Sequence, residues 1–173
     1  MSSVEQALLI NAIVLVAVLE ADLGPHRKIN AFRVVRPLLM AAGIVPLYLK
    51  AVTTHGAGLG LELTGLLAGV VCGAIAAALV RVYRSPRTGR PVSAAGFGYA
   101  ALWVTVIGAR AAFSYGSVHW FGPQLGQWMA DQRVTADALT DALLVMAVAM
   151  TLTRTVALGA RAARMPRPVA AAA

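Results

Sequence analysis

Charge is scarce in this chain. Only 13% of its 173 residues are Asp, Glu, Lys or Arg, where a water-soluble domain carries roughly 25%. There are seven acidic residues and two lysines, Lys28 and Lys50, so nearly every positive charge is an arginine. The one cysteine, Cys72, excludes an internal disulfide, a Cys-x-x-Cys redox pair and a thiolate zinc cluster. The three histidines, His26, His55 and His119, include no His-x-x-x-His or Glu-x-x-His spacing and offer no pair across a bilayer for haem. Neither a metal nor any other cofactor is therefore expected. No Gly-rich phosphate loop follows a strand pattern, and no strand is predicted at all. No Ser or Thr stands with a His and an acid in a catalytic arrangement, so an enzyme is not expected.

What the chain has instead is apolar length. Hydrophobic residues make up 59%, with a mean hydropathy of +0.73, against about 45–50% apolar in soluble domains. Because a helix rises 1.5 Å per residue, a hydrocarbon core about 30 Å thick needs roughly 20 mostly apolar residues. Five stretches satisfy this: 6–23, 37–54, 58–80, 94–113 and 134–153. The second is interrupted by Pro46 and Lys50; proline inside a span is tolerated when neighbouring groups satisfy the freed carbonyl. The predicted fold class is all-α: a polytopic bundle of five transmembrane helices in a single domain over residues 1–165, with a disordered tail over 166–173. No soluble domain, long linker or internal repeat accompanies it.

Orientation follows the lysine and arginine bias of short loops. Arg27, Lys28, Arg33 and Arg36 lie between spans one and two; Arg81, Arg84, Arg87 and Arg90 between three and four; Arg154, Arg161, Arg164 and Arg167 after span five. The other side has only Arg133. This places the N-terminus outside and the C-terminus in the cytoplasm of a bacterial plasma membrane, the arginine-rich, alanine-rich composition suggesting a high-GC genome. The net charge of +8 is explained by orientation, and no nucleic-acid partner is expected. MSSVEQ has no basic residue ahead of the first apolar run, so no cleaved signal peptide is predicted.

Several constellations stand out on this frame. Gly65, Gly69, Gly73 and Ala77 recur every four residues, a stripe along which another helix, from the same chain or a second copy, approaches closely. Lys50, Glu62, Arg110, Asp137 and Asp141 fall at or inside the outer third of their spans. Asp141 is about 10 Å below Val134 and Glu62 about 6 Å below Gly58. Charge at such depth is paired or faces a wet cavity. The expected pairs are Arg110 with Asp137 or Asp141, which share a helix face, and Lys50 with Glu62. The cluster either locks helices together or forms an outward pocket for an ion, a proton or a small polar ligand. Glu20 and Asp22, beside Arg27 and Lys28, are predicted to form a hydrated ion-pair rim. Tyr115 to Arg133 is the longest external connection; its Trp120, Phe121 and Trp128 suit an interfacial aromatic belt or a short helix lying in the interface. Arg81, Arg84, Arg87 and Arg90 form a tight basic turn facing anionic lipid headgroups.

Arg36-Pro37, followed by RVYRSPRTGRPVSAAGFGYAALWVTVIGAR from Arg81 to Arg110, resembles small actinobacterial integral membrane proteins and the wider CcdC-like family, grouped by name with cytochrome c biogenesis. The likeness covers spans two to five. It implies a five-helix plasma-membrane protein without an assigned activity, in which Arg84, Trp103 and Arg110 are pattern positions. The expected function is that of a small accessory or scaffold protein whose partners are the lipid bilayer and either a second copy or another membrane protein; the competing reading is a transporter or channel-like module.

Overall fold

A computed structural model describes residues 3–28, 57–86 and 88–165, together with Val35 and Leu39. In chain order the elements are α1 (Ser3–Asp22), β1 (Gly24–Lys28), α2 (Ala57–Leu79), β2 (Val80–Arg84), β3 (Pro91–Ala95), α3 (Phe97–His119), α4 (Gly122–Asp131) and α5 (Ala136–Ala163). Three of them, α2, α3 and α5, are long and apolar enough to cross a membrane, while α1 contains a shorter apolar segment, Asn11–Glu20. The predicted second span, 37–54, with Lys50, and the tail 166–173 lie outside the described residues.

The helices form two pairs. In the larger, α2 and α5 run parallel, because Gly65, Gly69 and Gly73 meet Ala142, Met146 and Met150 in a constant register. A Cβ on Gly65 or Gly73 would lie 2.5 Å from the backbone oxygen of Ala142 or Met150, and one on Gly69 would collide with that of Met146. Only hydrogen at these positions lets the two backbones approach so closely, and the gain is dispersion and weak Cα–H···O contact. The partner of the small-residue stripe is thus in the same chain. In the second pair α1 packs against α3, antiparallel, since the C-terminal end of α1 meets the N-terminal end of α3 at the contact between Asp22 and Tyr99.

Large side chains point away from these interfaces. Along α2, Leu63, Leu66, Leu67, Val70, Val71 and Ile75 are exposed, whereas Gly69, Gly73, Ala76 and Ala77 are buried. The main buried cluster gathers at one end, where Ala76, Val80, Ala95, Tyr99, Trp103, Ile107, Met150 and Leu158 meet, with Leu15, Val18 and Leu19 of α1 against them.

That end is closed by a sheet, which corrects the all-α expectation. The order is β1-β3-β2, all antiparallel. The arginine-rich turn is a β-hairpin in register from Val80 opposite Ala95 to Arg84 opposite Pro91. Val80-Arg81-Val82-Tyr83 alternates apolar with polar and is rich in β-branched and aromatic residues, which suits a half-buried strand. Gly89, at φ +62°, takes the left-handed conformation in the turn that glycine adopts without steric penalty, and its amide donates to Ser85 O at 2.9 Å. Arg84 donates to Gly89 O at 2.6 Å and to Met165 O at 3.3 Å, so it ties the hairpin to the end of α5 and does not face outward as a headgroup ligand.

Two helices outrun their predicted spans. α3 continues six residues past Phe113 to His119, and α5 ten past Thr153 to Ala163. Arg154–Ala163 contains no proline and a single glycine, Gly159, which a long helix tolerates, and at 28 residues α5 is about 42 Å long, more than a hydrocarbon core needs. It starts at Thr135, whose side chain accepts from Ala138 N at 3.1 Å as an N-cap. The connection predicted as external contains the short helix α4, joined to α3 by Phe113 and Phe121 with ring centroids 5.6 Å apart.

Gly69→Leu is expected to lower the thermal unfolding temperature sharply, since overpacking costs about 1–3 kcal/mol even for a few methylenes and here the obstacle is backbone. Gly60→Leu, at a position where a Cβ meets nothing within 4 Å, should leave it near wild type. Melting of the detergent-purified variants checks the contrast.

Candidate functional site

The charged residues that meet most closely lie at the sheet end. Asp22 is the last residue of α1 and only 5% exposed. Its Oδ2 forms an ion pair with Arg154 Nη2 of α5, and the same oxygen accepts the Tyr99 hydroxyl of α3 at 2.6 Å. The Arg154 guanidinium carbon stands 5.3 Å from the centre of the Tyr99 ring, within range of a cation–π attraction. Trp103, one turn further along α3, presents its edge to Tyr99 with ring centroids 6.1 Å apart and planes at 60°. Three helices from both pairs therefore converge on one carboxylate oxygen.

Each local sequence places its residue here for a reason. Asp22 follows the apolar run of α1, two residues before Gly24, which turns the chain into β1 at φ +112°. Tyr99 and Trp103 are four apart, so they share the face of α3 that is covered by α1. Arg154 sits eighteen residues after Ala136 on α5, about 27 Å along the helix, level with the start of α3. The predicted hydrated rim of Glu20 and Asp22 is thereby corrected: Glu20 is exposed, whereas Asp22 is buried and bound to a residue expected just past the end of span five.

Chemically this is a clamp. One carboxylate oxygen receives a charged and a neutral donor, a geometry that fixes the orientation of the carboxylate. Two further donors, Trp103 Nε1 and Arg154 Nε, are buried and have no acceptor among the described residues. Among the described residues no three His, Cys, Asp or Glu side chains gather as a metal site.

The predicted outer cluster is only partly assembled. Glu62 and Asp141 are both buried, at 9% and 6% exposure, in the interface of α2 and α5. The register that sets Gly65 against Ala142 brings Glu62 level with Leu139, two residues from Asp141. Asp137 is exposed in the first turn of α5 and Arg110 is half-buried on α3; among the described residues neither has an ion pair, so the expected pairing of Arg110 with Asp137 or Asp141 does not form. The reason is packing: α3 lies chiefly against α1, away from the start of α5. Lys50 lies outside the described residues, as does Arg87.

No family model, curated protein or solved structure matches this chain.

Removing one partner of a buried pair strands the other, at roughly 3–5 kcal/mol. Asp22→Asn and Arg154→Gln should each lower the melting temperature strongly. Tyr99→Phe, which deletes one hydrogen bond to a charged group, should cost about 1.5–3 kcal/mol, and Asp137→Asn less than about 0.5 kcal/mol. Thermal unfolding of the four variants in one detergent checks the order.

Proposed function

We propose that this is a multi-pass membrane protein that acts as a small accessory or scaffold element, a rigid bundle presenting a basic β-sheet platform at the cytoplasmic face of a bacterial plasma membrane. One observation carries the reading. The fold is inside out for water, with glycine and alanine in the helix interfaces and leucine, valine and isoleucine around the outside. A contiguous apolar surface larger than a few hundred Å² marks a face that meets protein or membrane, and here it surrounds helices of spanning length.

The arrangement of the ends supports a five-span count with the N-terminus outside. Asp22, Tyr99 and Arg154 meet at the same end as the arginine-bearing hairpin, which is the end that the positive-inside bias assigns to the cytoplasm. The remaining span of that count is the apolar stretch 37–54, which, Leu39 apart, lies outside the described residues. The likeness to CcdC-like proteins agrees with the class and adds no activity.

A scaffold role is supported by what the best-defined charges do: Asp22 and Arg154 hold helices to one another, and Arg84 and Arg161 hold backbone carbonyls. A second reading has its own observation. Glu62 and Asp141 are buried carboxylates within apolar helices, where ionisable groups commonly mark an ion or proton path. In that case Asp141→Asn would abolish uptake of an ion while leaving thermal stability unchanged.

Topology is tested with single cysteines in a Cys72→Ala background. In intact cells a membrane-impermeant thiol reagent should label Gln124→Cys, and should label Thr88→Cys only after permeabilisation. Labelling of both from the same side would remove the proposed arrangement.

A further inference from the structure

Beside the hairpin, the end of α5 and the outer face of β2 enclose an open groove of about 1030 Å³. It is lined by Arg81 of β2, Arg161 in the last turn of α5 and Arg164 at its C-cap, together with the apolar Ala78, Val82 and Ala94, and among the described residues no carboxylate lines it. Arg161 is partly spoken for: its Nη1 donates to Ala77 O at 2.7 Å and Val80 O at 3.1 Å, meeting the free carbonyls at the end of α2. Arg81 and Arg164 are exposed, and their side chains make no hydrogen bond or ion pair among the described residues. Three guanidinium groups on one groove repel each other unless an outside anion joins them, and a planar guanidinium matches a phosphate with two parallel N–H donors.

We propose that this groove is a binding site for the phosphodiester of an anionic membrane lipid, with Arg81, Arg161 and Arg164 on the phosphate. The inference rests on the membrane reading above. Three observations favour a lipid over a soluble anion. The groove opens where the apolar run of α2 ends at Leu79, the level of a headgroup if α2 spans. Its floor is apolar, which suits a glycerol backbone and the first carbons of an acyl chain and gives nothing to free phosphate. Its arginines come from two separate elements, so that one headgroup bridges hairpin and helix. The set differs from the four arginines of the turn: Arg84 is turned to Gly89 and Met165 carbonyls, and Arg161 and Arg164 from the last turns of α5 replace it.

The full chain is placed in nanodiscs of phosphatidylcholine alone and of phosphatidylcholine with phosphatidylglycerol, and retained lipid is counted by native mass spectrometry alongside thermal melting. The wild type should keep phosphatidylglycerol preferentially and melt higher in its presence. With each basic residue near the surface contributing about five-fold, the Arg81→Gln/Arg164→Gln variant should lose that preference by roughly 25-fold and melt as wild type in phosphatidylcholine alone. Arg90→Gln/Arg133→Gln, which removes as many charges elsewhere, should keep it. Equal loss in both variants, undiminished preference in the first, or a lower melting point for it in phosphatidylcholine alone would overturn the site. So would inorganic phosphate reproducing the shift in phosphatidylcholine discs, which would make the ligand a soluble anion. Failure of the membrane reading is separate, because a chain that is not embedded would wash from membranes at alkaline pH.

Discussion

Asp22 ties the two helix pairs together at the end where the buried cluster around Tyr99 and Met150 also joins them. The α1·α3 pair and the α2·α5 pair each have their own interface, and beyond the sheet and the shared buried cluster they are linked by a single carboxylate oxygen of α1 that holds Arg154 from one pair and Tyr99 from the other. In a low-dielectric interior a charge without a partner is costly, so the helices that supply the partners are fixed in depth and rotation as a set. Tyr99 adds direction, since its ring lies under the guanidinium while its hydroxyl reaches the carboxylate. The sheet inherits this geometry: β3 leads directly into the turn carrying Tyr99, and β1 leaves directly from Asp22.

The second constraint is the absence of side chains where α2 meets α5. Under the membrane reading proposed above, lipid surrounds the bundle, there is no hydrophobic drive to bury leucine, and close backbone approach becomes the main source of helix affinity. This accounts for the distribution of residues along α2, with glycine inward and bulky aliphatics outward. It also explains the parallel course of α2 and α5, whose intervening elements, the hairpin, α3 and α4, return the chain to the far end before α5 begins. Since α5 is longer than a hydrocarbon core is thick, its last turns stand beside the hairpin, and helix geometry carries Arg161 and the capping Arg164 there.

How far the sequence reveals this depends on the range of the interaction. α2 is legible to within one residue at each end, because a long apolar run with a four-residue glycine spacing has few other readings. Its partner is not legible, since α5 contributes backbone carbonyls, which any sequence has. The hairpin was within reach: Val-Arg-Val-Tyr alternates with period two, but the apolar run of α2 continues into Val80 and hides the change of period. The extent of α5 escaped because hydropathy marks where a chain leaves oil and says nothing of where its hydrogen bonding ends. Burial of Glu62 and Asp141 was legible from depth, whereas the pairing of Arg110 required knowing that α3 turns toward α1. Asp22 and Arg154 lie more than a hundred residues apart; their one shared signal is equal depth on the arginine-rich side, which solvated headgroups would equally explain.

The central claim is that Asp22 and Arg154 stabilise the bundle through each other. A double-mutant cycle measures this directly, with reversible unfolding of wild type, Asp22→Leu, Arg154→Leu and the double variant in one lipid or detergent. The account predicts strong non-additivity, the double variant being no worse than the poorer single one and the coupling energy at least about 1.5 kcal/mol. Losses that add to within about 0.5 kcal/mol would mean that the two residues act independently, and would contradict it.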